Sequence, residues 1–373
     1  MPSKQSILQA VGLAAALFQG VEAQGGVFTV NCARLTTQRV DPIVSPGTLS
    51  SHVHAVVGGT AFSTTTTNEQ ARNAKATTCD KILDNSNYWQ PQLYHQRRDG
   101  KFEIVEFQGS ATYYLARACD YAPGRTNCNG APNPIAPPQG LRMLVGDLNR
   151  RTYNDSSFED RAIQHVCLTA GPNVPDTHGL PNVQCDRIRA ETFFQSCWDG
   201  QNLDSANHKS HVAFPVIGDY NTGVCPQSHP KAIFSVFYEF FYNTGAIQNY
   251  NRLVYATGDI TGHSLHGDFF NGWKDQNALN LAMTTCSGPN GVNDRGCSLN
   301  VGPNGPGQSG PQNVQTPPPA RMLVSTVPLL PFPATTPSTK YIWKSIDLGS
   351  FATLGNKKGL ENTLKVMEAL LSL

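Results

Sequence analysis

Short apolar runs, separated by Gly, Pro and Asn, dominate the chain from about residue 25 to residue 300. Some alternate, as in Phe102–Phe107 (FEIVEF), and others are mostly or wholly apolar, as in Leu141–Val145, Ile233–Tyr242 and Leu253–Ala256. A period of two, or a brief continuous run between turn residues, is the signature of a strand. Long stretches with 3.6-residue periodicity are scarce, and the best short helix in this block is Asn277–Thr285. The pattern predicts a mainly β fold, an antiparallel β-sandwich or jelly-roll-like domain with long loops and few short helices.

The ends read differently. Lys4, the apolar run Ile7–Phe18 and the small residues around Ala23 have the layout of a secretory signal peptide over residues 1–23. A single domain is expected over residues 24–300. GPNGPGQSGPQ and TPPPARM then mark residues 301–340 as a Pro/Gly-rich linker. Residues 341–373 form a tail in which Leu360, Leu364, Met367, Leu370 and Leu371 are spaced for a short amphipathic helix. No later stretch is long and apolar enough to be a transmembrane segment, so a soluble, secreted protein is expected, extracellular or cell-wall associated, and a monomer.

Ten cysteines all follow the signal, which reads as a disulfide framework. The shortest loops suggest Cys119–Cys128 and Cys286–Cys297, with Cys185–Cys197 a weaker third pair. No CxxC pair occurs, which argues against a cysteine-type zinc site. Asn154-Asp155-Ser156 is the single glycosylation sequon. The net charge is +1 with no basic run, which excludes nucleic acid as the main partner.

Candidate chemistry lies in three histidine clusters: His52-Val53-His54, His208-Lys209-Ser210-His211 and His263-Ser264-Leu265-His266-Gly267-Asp268. His52 and His54 have strand spacing and would share one face. His208 and His211 suit a helix face or tight turn, with Asp204 four residues before His208, close enough to orient an imidazole. His266 and Asp268 again have strand spacing. Imidazole and carboxylate are the usual groups for metal binding and for proton transfer near neutral pH. The same residues serve equally as strand histidines bonded to backbone carbonyls and as turn-capping acids. Trp89, Trp198 and Trp273 are either sugar-stacking platforms or core anchors.

Taken together and in order, the motifs resemble a secreted, largely fungal family catalogued as domain of unknown function nineteen-ninety-six. The resemblance rests on Asp41-Pro42-Ile43, Ser51-His52-Val53-His54, Ser86-Asn87-Tyr88-Trp89 and Arg142-Met143-Leu144-Val145-Gly146-Asp147. It continues through Cys197-Trp198-Asp199-Gly200, Leu203-Asp204-Ser205, His208-Lys209-Ser210-His211, Cys225-Pro226 with His229-Pro230, His266-Gly267-Asp268 and Gly272-Trp273-Lys274. It implies secretion, one recurring domain and a fungal context, and no mechanism. Two departures from the family pattern stand out: Asn207 takes the place of an Asp before the first histidine of the middle cluster, and Asp275-Gln276 follows the Trp-Lys pair where the family has Gly-Asp, so that acid is displaced by one.

Two functions compete. One is a hydrolase or lyase acting on fungal cell-wall polysaccharide, with His52, His54, His211 and His266 holding a divalent metal such as zinc and Asp41, Asp204, Asp268 and His211 as catalytic groups. The other is a non-catalytic cell-wall or glycan-binding protein, with Trp89, Trp198 and Trp273 lining an exposed groove. No GxSxG elbow supports serine hydrolase chemistry.

Overall fold

The computed structural model describes residues 25–301, except 131, 170, 172, 173 and 248–251. The expected signal peptide, almost all of the linker and the tail helix lie outside the described residues.

Two five-stranded sheets, antiparallel throughout, carry the fold. Their strands are β1 Val27–Cys32, β2 Arg34–Gln38, β3 His54–Gly58, β4 Asn87–Pro91, β5 Glu106–Leu115, β6 Arg142–Gly146, β7 Ile163–Leu168, β8 Arg187–Phe193, β9 Ser235–Asn243 and β10 His266–Phe270. The first sheet has the order β1-β5-β9-β8-β7 and the second β2-β3-β4-β10-β6. The apolar runs noted above supply β5, β6, β9 and the short strand Leu253–Tyr255, and Val105 divides the FEIVEF run between the short strand Phe102–Ile104 and β5. The predicted helix is α3, Gln276–Thr285; α1, Asn68–Arg72, and α2, Phe158–Arg161, are one-turn pieces. Asp275 is the N-cap of α3, its side chain accepting from the backbone N–H of Asn277 and Ala278.

The sheets face each other. Tyr238 and Tyr242 of β9 donate hydroxyl hydrogens to the carbonyls of Trp89 and Pro91 in β4, at 2.8 and 3.0 Å. Gly267 faces the first sheet at close range: a Cβ there would stand 2.3 Å from the Tyr238 hydroxyl and 2.7 Å from Thr192 Oγ1. Only glycine fits between His266 and Asp268, whose side chains therefore both point away from the shared core.

β1 alternates between buried and more accessible positions, whereas every residue of β3, β4 and β10 is buried. The reason is a second, smaller core on the far face of the second sheet. Val56, Trp89 and Phe270 from that face pack with Leu35, Val40, Ile43, Phe62 and Ala71 of β2, the loop after it, the segment after β3 and α1. The loop between β2 and β3 thus forms a lid over a sheet already covered on its other side, and the histidines lie beneath it.

Five disulfides join Cys32–Cys79, Cys119–Cys128, Cys167–Cys185, Cys197–Cys225 and Cys286–Cys297. Two expected short-loop pairs are present; Cys185–Cys197 is not. Between those two cysteines runs β8, seven extended residues that hold its ends roughly 23 Å apart at ~3.3 Å per residue. Closeness in sequence misleads where the intervening chain is a strand.

Candidate metal centre

Register explains why residues more than 200 positions apart meet. Val56 of β3 pairs with Trp89 of β4, and Trp89 pairs with Asp268 of β10. His54 pairs with Pro91, and the same register, continued one step, brings His266 into that row. His54, Val56, Trp89, His266, Asp268 and Phe270 therefore share the lid-facing side of the sheet. His54 is the first residue of β3, and His52 lies in the bend before it rather than in the strand. Their rings nevertheless meet edge to face, with centroids 4.2 Å apart, and the His52 and His266 centroids are 4.9 Å apart.

Each ring is held by its Nδ1. His54 Nδ1 bonds the Val40 carbonyl at 3.0 Å, His266 Nδ1 the Ser264 carbonyl at 2.8 Å, and His52 Nδ1 the Ser51 hydroxyl at 3.0 Å. A carbonyl accepts only, so His54 and His266 carry their proton on Nδ1 and present Nε2 lone pairs. The Nε2 atoms of His52 and His266 are 3.0 Å apart, and buried His54 Nε2 has no hydrogen-bond partner. One ligand atom from each of the three lies within 4.8 Å of the others.

Donors on one tetrahedral zinc stand roughly 3.3 Å apart, given Zn–N bonds near 2.0–2.1 Å. The trio fits such an ion once His52 moves its proton to Nδ1 and donates to Ser51 Oγ. A backbone carbonyl or hydroxyl behind each ring is the outer support expected of metal-ligating histidines. Burial, together with the neighbouring imidazoles, pushes His52 and His54 well below the usual histidine range, and burial takes His266 down to about 4, so all three rings are neutral near pH 7.

A cavity of about 120 Å³ lies against His52 and His266, with Asp41, Asp268, Leu144 and Lys209 among its walls. Asp268 is 1% exposed, and neither carboxylate oxygen has a hydrogen-bond partner. Burial, reinforced by the charge of Asp41, pushes it well above the usual carboxylate range, against the opposing effect of Lys209. Asp41 is also raised by burial, tempered by backbone N–H donation from Val44 and Ile43 to its Oδ1. Burial thus favours the protonated, neutral form of Asp268, and the unpartnered His54 Nε2 lies on the same face of the sheet.

The other expected site residues lie elsewhere. Both ring nitrogens of His211 are engaged, Nε2 with the Arg142 carbonyl at 2.6 Å and Nδ1 with Ser205 Oγ at 2.9 Å, so His211 ties its loop to β6 and is not among the converging ligands. Asp204 bonds His208 Nδ1 at 2.7 Å and faces Arg142. His208 itself has φ 57°, a conformation this network holds. Asn207 organises the same turn, its Oδ1 accepting from the backbone N–H of Lys209 and Ser210. Trp89 and Trp273 are 0% exposed, and Trp273 donates to Tyr114. Half-buried Trp198 donates its indole N–H to the Asn202 carbonyl. Lys209 also lines the cavity, and its place between two histidines is its signal in the sequence. Val40 and Ser264 act through backbone carbonyls and leave no signal in residue type.

Fold and site define a disulfide-bonded, two-sheet β domain with a buried three-histidine cluster under a lid loop. The model of a domain of unknown function, DUF1996, matches residues 41–273, and the chain belongs to that family. Comparison with curated proteins gave no match, and neither did comparison with solved structures. Among the described residues, no helix is long and apolar enough to cross a membrane.

Proposed function

We propose that this protein is a metal-dependent hydrolase or lyase, secreted and acting on cell-wall polysaccharide, whose centre is one divalent ion held by His52, His54 and His266. The observation that carries the reading is the convergence of one ring nitrogen from each of three histidines within 4.8 Å, with the Nε2 atoms of His52 and His266 3.0 Å apart and the Nδ1 atoms anchored. Three protein ligands leave one position free, as catalytic zinc sites do. Such an ion activates water or polarises an oxygen in the substrate. Asp268 and Asp41, in the walls of the same cavity, are the groups placed to move protons there. Five disulfides agree with an oxidising compartment. The glycan-binding alternative has less support, because Trp89 and Trp273 are sealed in the interior.

Elemental analysis of the purified chain tests the centre. The expected result is one zinc or comparable divalent ion per chain, removed by chelator and absent from His54→Ala. A folded protein that takes up no ion from a panel of divalent metals sinks the reading.

A further inference from the structure

The cavity beside the histidines is small, and its size and chemistry select what can enter. At about 120 Å³ it is smaller than the ~150 Å³ cavity that takes one benzene, which suits a group of a few heavy atoms better than a whole sugar ring. Val44, exposed at the surface, Leu144 and Leu148 give it apolar wall. Lys209 is its one Lys or Arg: Nζ bonds the Gly146 carbonyl and Glu159 Oε1, which leaves one of its three N–H groups for an occupant. Asp41, Asp147 and Asp268 also line the space. Three acids beside one lysine disfavour an anionic occupant, and the apolar wall favours a neutral one with a small hydrocarbon end.

We infer that the group entering this pocket is an acetyl group carried on a saccharide, and that Lys209 is the donor to its carbonyl oxygen as negative charge develops there. The inference rests on the metal reading above and narrows it from hydrolase or lyase to deacetylation. The oxygen of a water molecule bonds to the acyl carbon, the bond from that carbon to the sugar oxygen or nitrogen breaks, and acetate departs. The proton released by water passes to the leaving sugar atom by way of the carboxylates lining the pocket. Nothing is oxidised or reduced. The methyl group lies against Leu144 and Leu148, and the sugar stays at the mouth.

The test uses the full chain loaded with zinc, the ion counted by elemental analysis, on O-acetylated xylan and on N-acetylchitooligosaccharide. Free acetate and new chain ends are measured separately. The expected result is acetate release from at least one substrate without new chain ends. Lys209→Met should lower kcat about 10²-fold or more, the usual effect of removing one donor to a developing oxyanion, with zinc content held and the protein still folded at the assay temperature. Lys209→Arg should recover part of the loss. Leu144→Ala should extend hydrolysis from acetyl to butyryl esters of p-nitrophenol. Zinc bound with chain ends formed and no acetate overturns the acetyl inference and leaves the metal reading standing. Zinc bound with no acetate from either substrate overturns it as well, and absence of zinc overturns both.

Discussion

Each sheet carries buried carboxylates on the face turned away from the shared core, and the two faces treat them differently. On the first sheet Glu191 of β8 lies directly opposite Glu239 of β9. Like charges across a strand pair destabilise it, but Arg189 reaches Glu191 with Nε and Glu239 with Nη1 at 3.4 Å, and the Tyr113 hydroxyl donates to Glu239. On the second sheet Asp268 has no such arrangement: both oxygens lack a partner, as does His54 Nε2. A buried charge is normally paired. Where the chain supplies the partner, the acids are architecture; where it supplies none, burial favours the protonated acid, and only a cation from outside would favour the anion. That difference separates two clusters that composition alone would rank together.

The sharpest way to break the comparison is to remove the outside partner. Chelation or His54→Ala should abolish ion binding and all metal-dependent turnover. At a free zinc concentration a thousand times the Kd, the ion's contribution to stability is about 4 kcal/mol, so the melting temperature should rise strongly with zinc in the wild type and stay flat in the variant. Scanning calorimetry across a zinc series checks this, and a zinc-independent melting temperature in the wild type would contradict it.

Asp268→Asn should show opposite signs in the two states. In metal-free protein it removes an acid that burial pushes well above the usual range and that the fold must protonate or bury charged, and stability near pH 7 should rise by about 1–3 kcal/mol. In loaded protein it removes an anion next to the ion, and zinc affinity should fall about 10–100-fold, the usual size of such outer-shell effects. Denaturant melts with and without zinc, and a calorimetric titration, read both signs. A variant less stable in both states would mean that Asp268 has a partner within the fold.

These residues were legible to different degrees. His52, His54 and His266 stand out in sequence because strand spacing and neighbouring acid mark them. What makes them a centre, the strand register and the carbonyls of Val40 and Ser264, belongs to backbone that any residue could supply. His211 carries the same local signal, two imidazoles and nearby acids, yet its loop folds so that both nitrogens are consumed, one on the Arg142 carbonyl of β6 and one on Ser205 of the loop itself. Spacing shows which rings can share a face; it does not show which nitrogens remain free. Trp89 and Trp273 fall on strand and turn positions that the two cores enclose. The alternating runs announced the β architecture, but not that the second sheet is buried on both faces, because the covering layer is a loop without periodicity.

On the first sheet the comparison sharpens by taking the inside partner away. Arg189→Met should leave Glu191 and Glu239 facing each other uncompensated. Breaking a fully buried pair costs about 3–5 kcal/mol, and because the Arg189 side chain is 28% exposed the loss should be nearer about 2–3 kcal/mol at pH 8. Urea melts of the variant at pH 8 and pH 5 measure it; the deficit should shrink at pH 5, where the acids hold protons. An unchanged midpoint at pH 8 would make the ion pairs incidental.

The smallest effect is the pH dependence of Glu191 itself. Burial is the main cause that pushes it up to about 7, with Glu239 adding and Arg189 opposing, whereas in the unfolded chain it titrates near the ordinary value of about 4.3. Between those values the native state keeps a proton that the unfolded state has released, so stability falls as pH rises through this window and levels off above it. The depressed histidines act in the opposite sense, losing stability as pH falls below about 6.5, so the whole-protein profile mixes the two. Subtracting the profile of Glu191→Gln isolates the glutamate. Relative to the variant, the wild type should lose about 1–2 kcal/mol between pH 4.5 and pH 7, less than the full shift implies because water reaching Arg189 screens the pair. Parallel profiles across that range would show that the charge of Glu191 is fully compensated in the native state, and that the difference between the two faces is larger still.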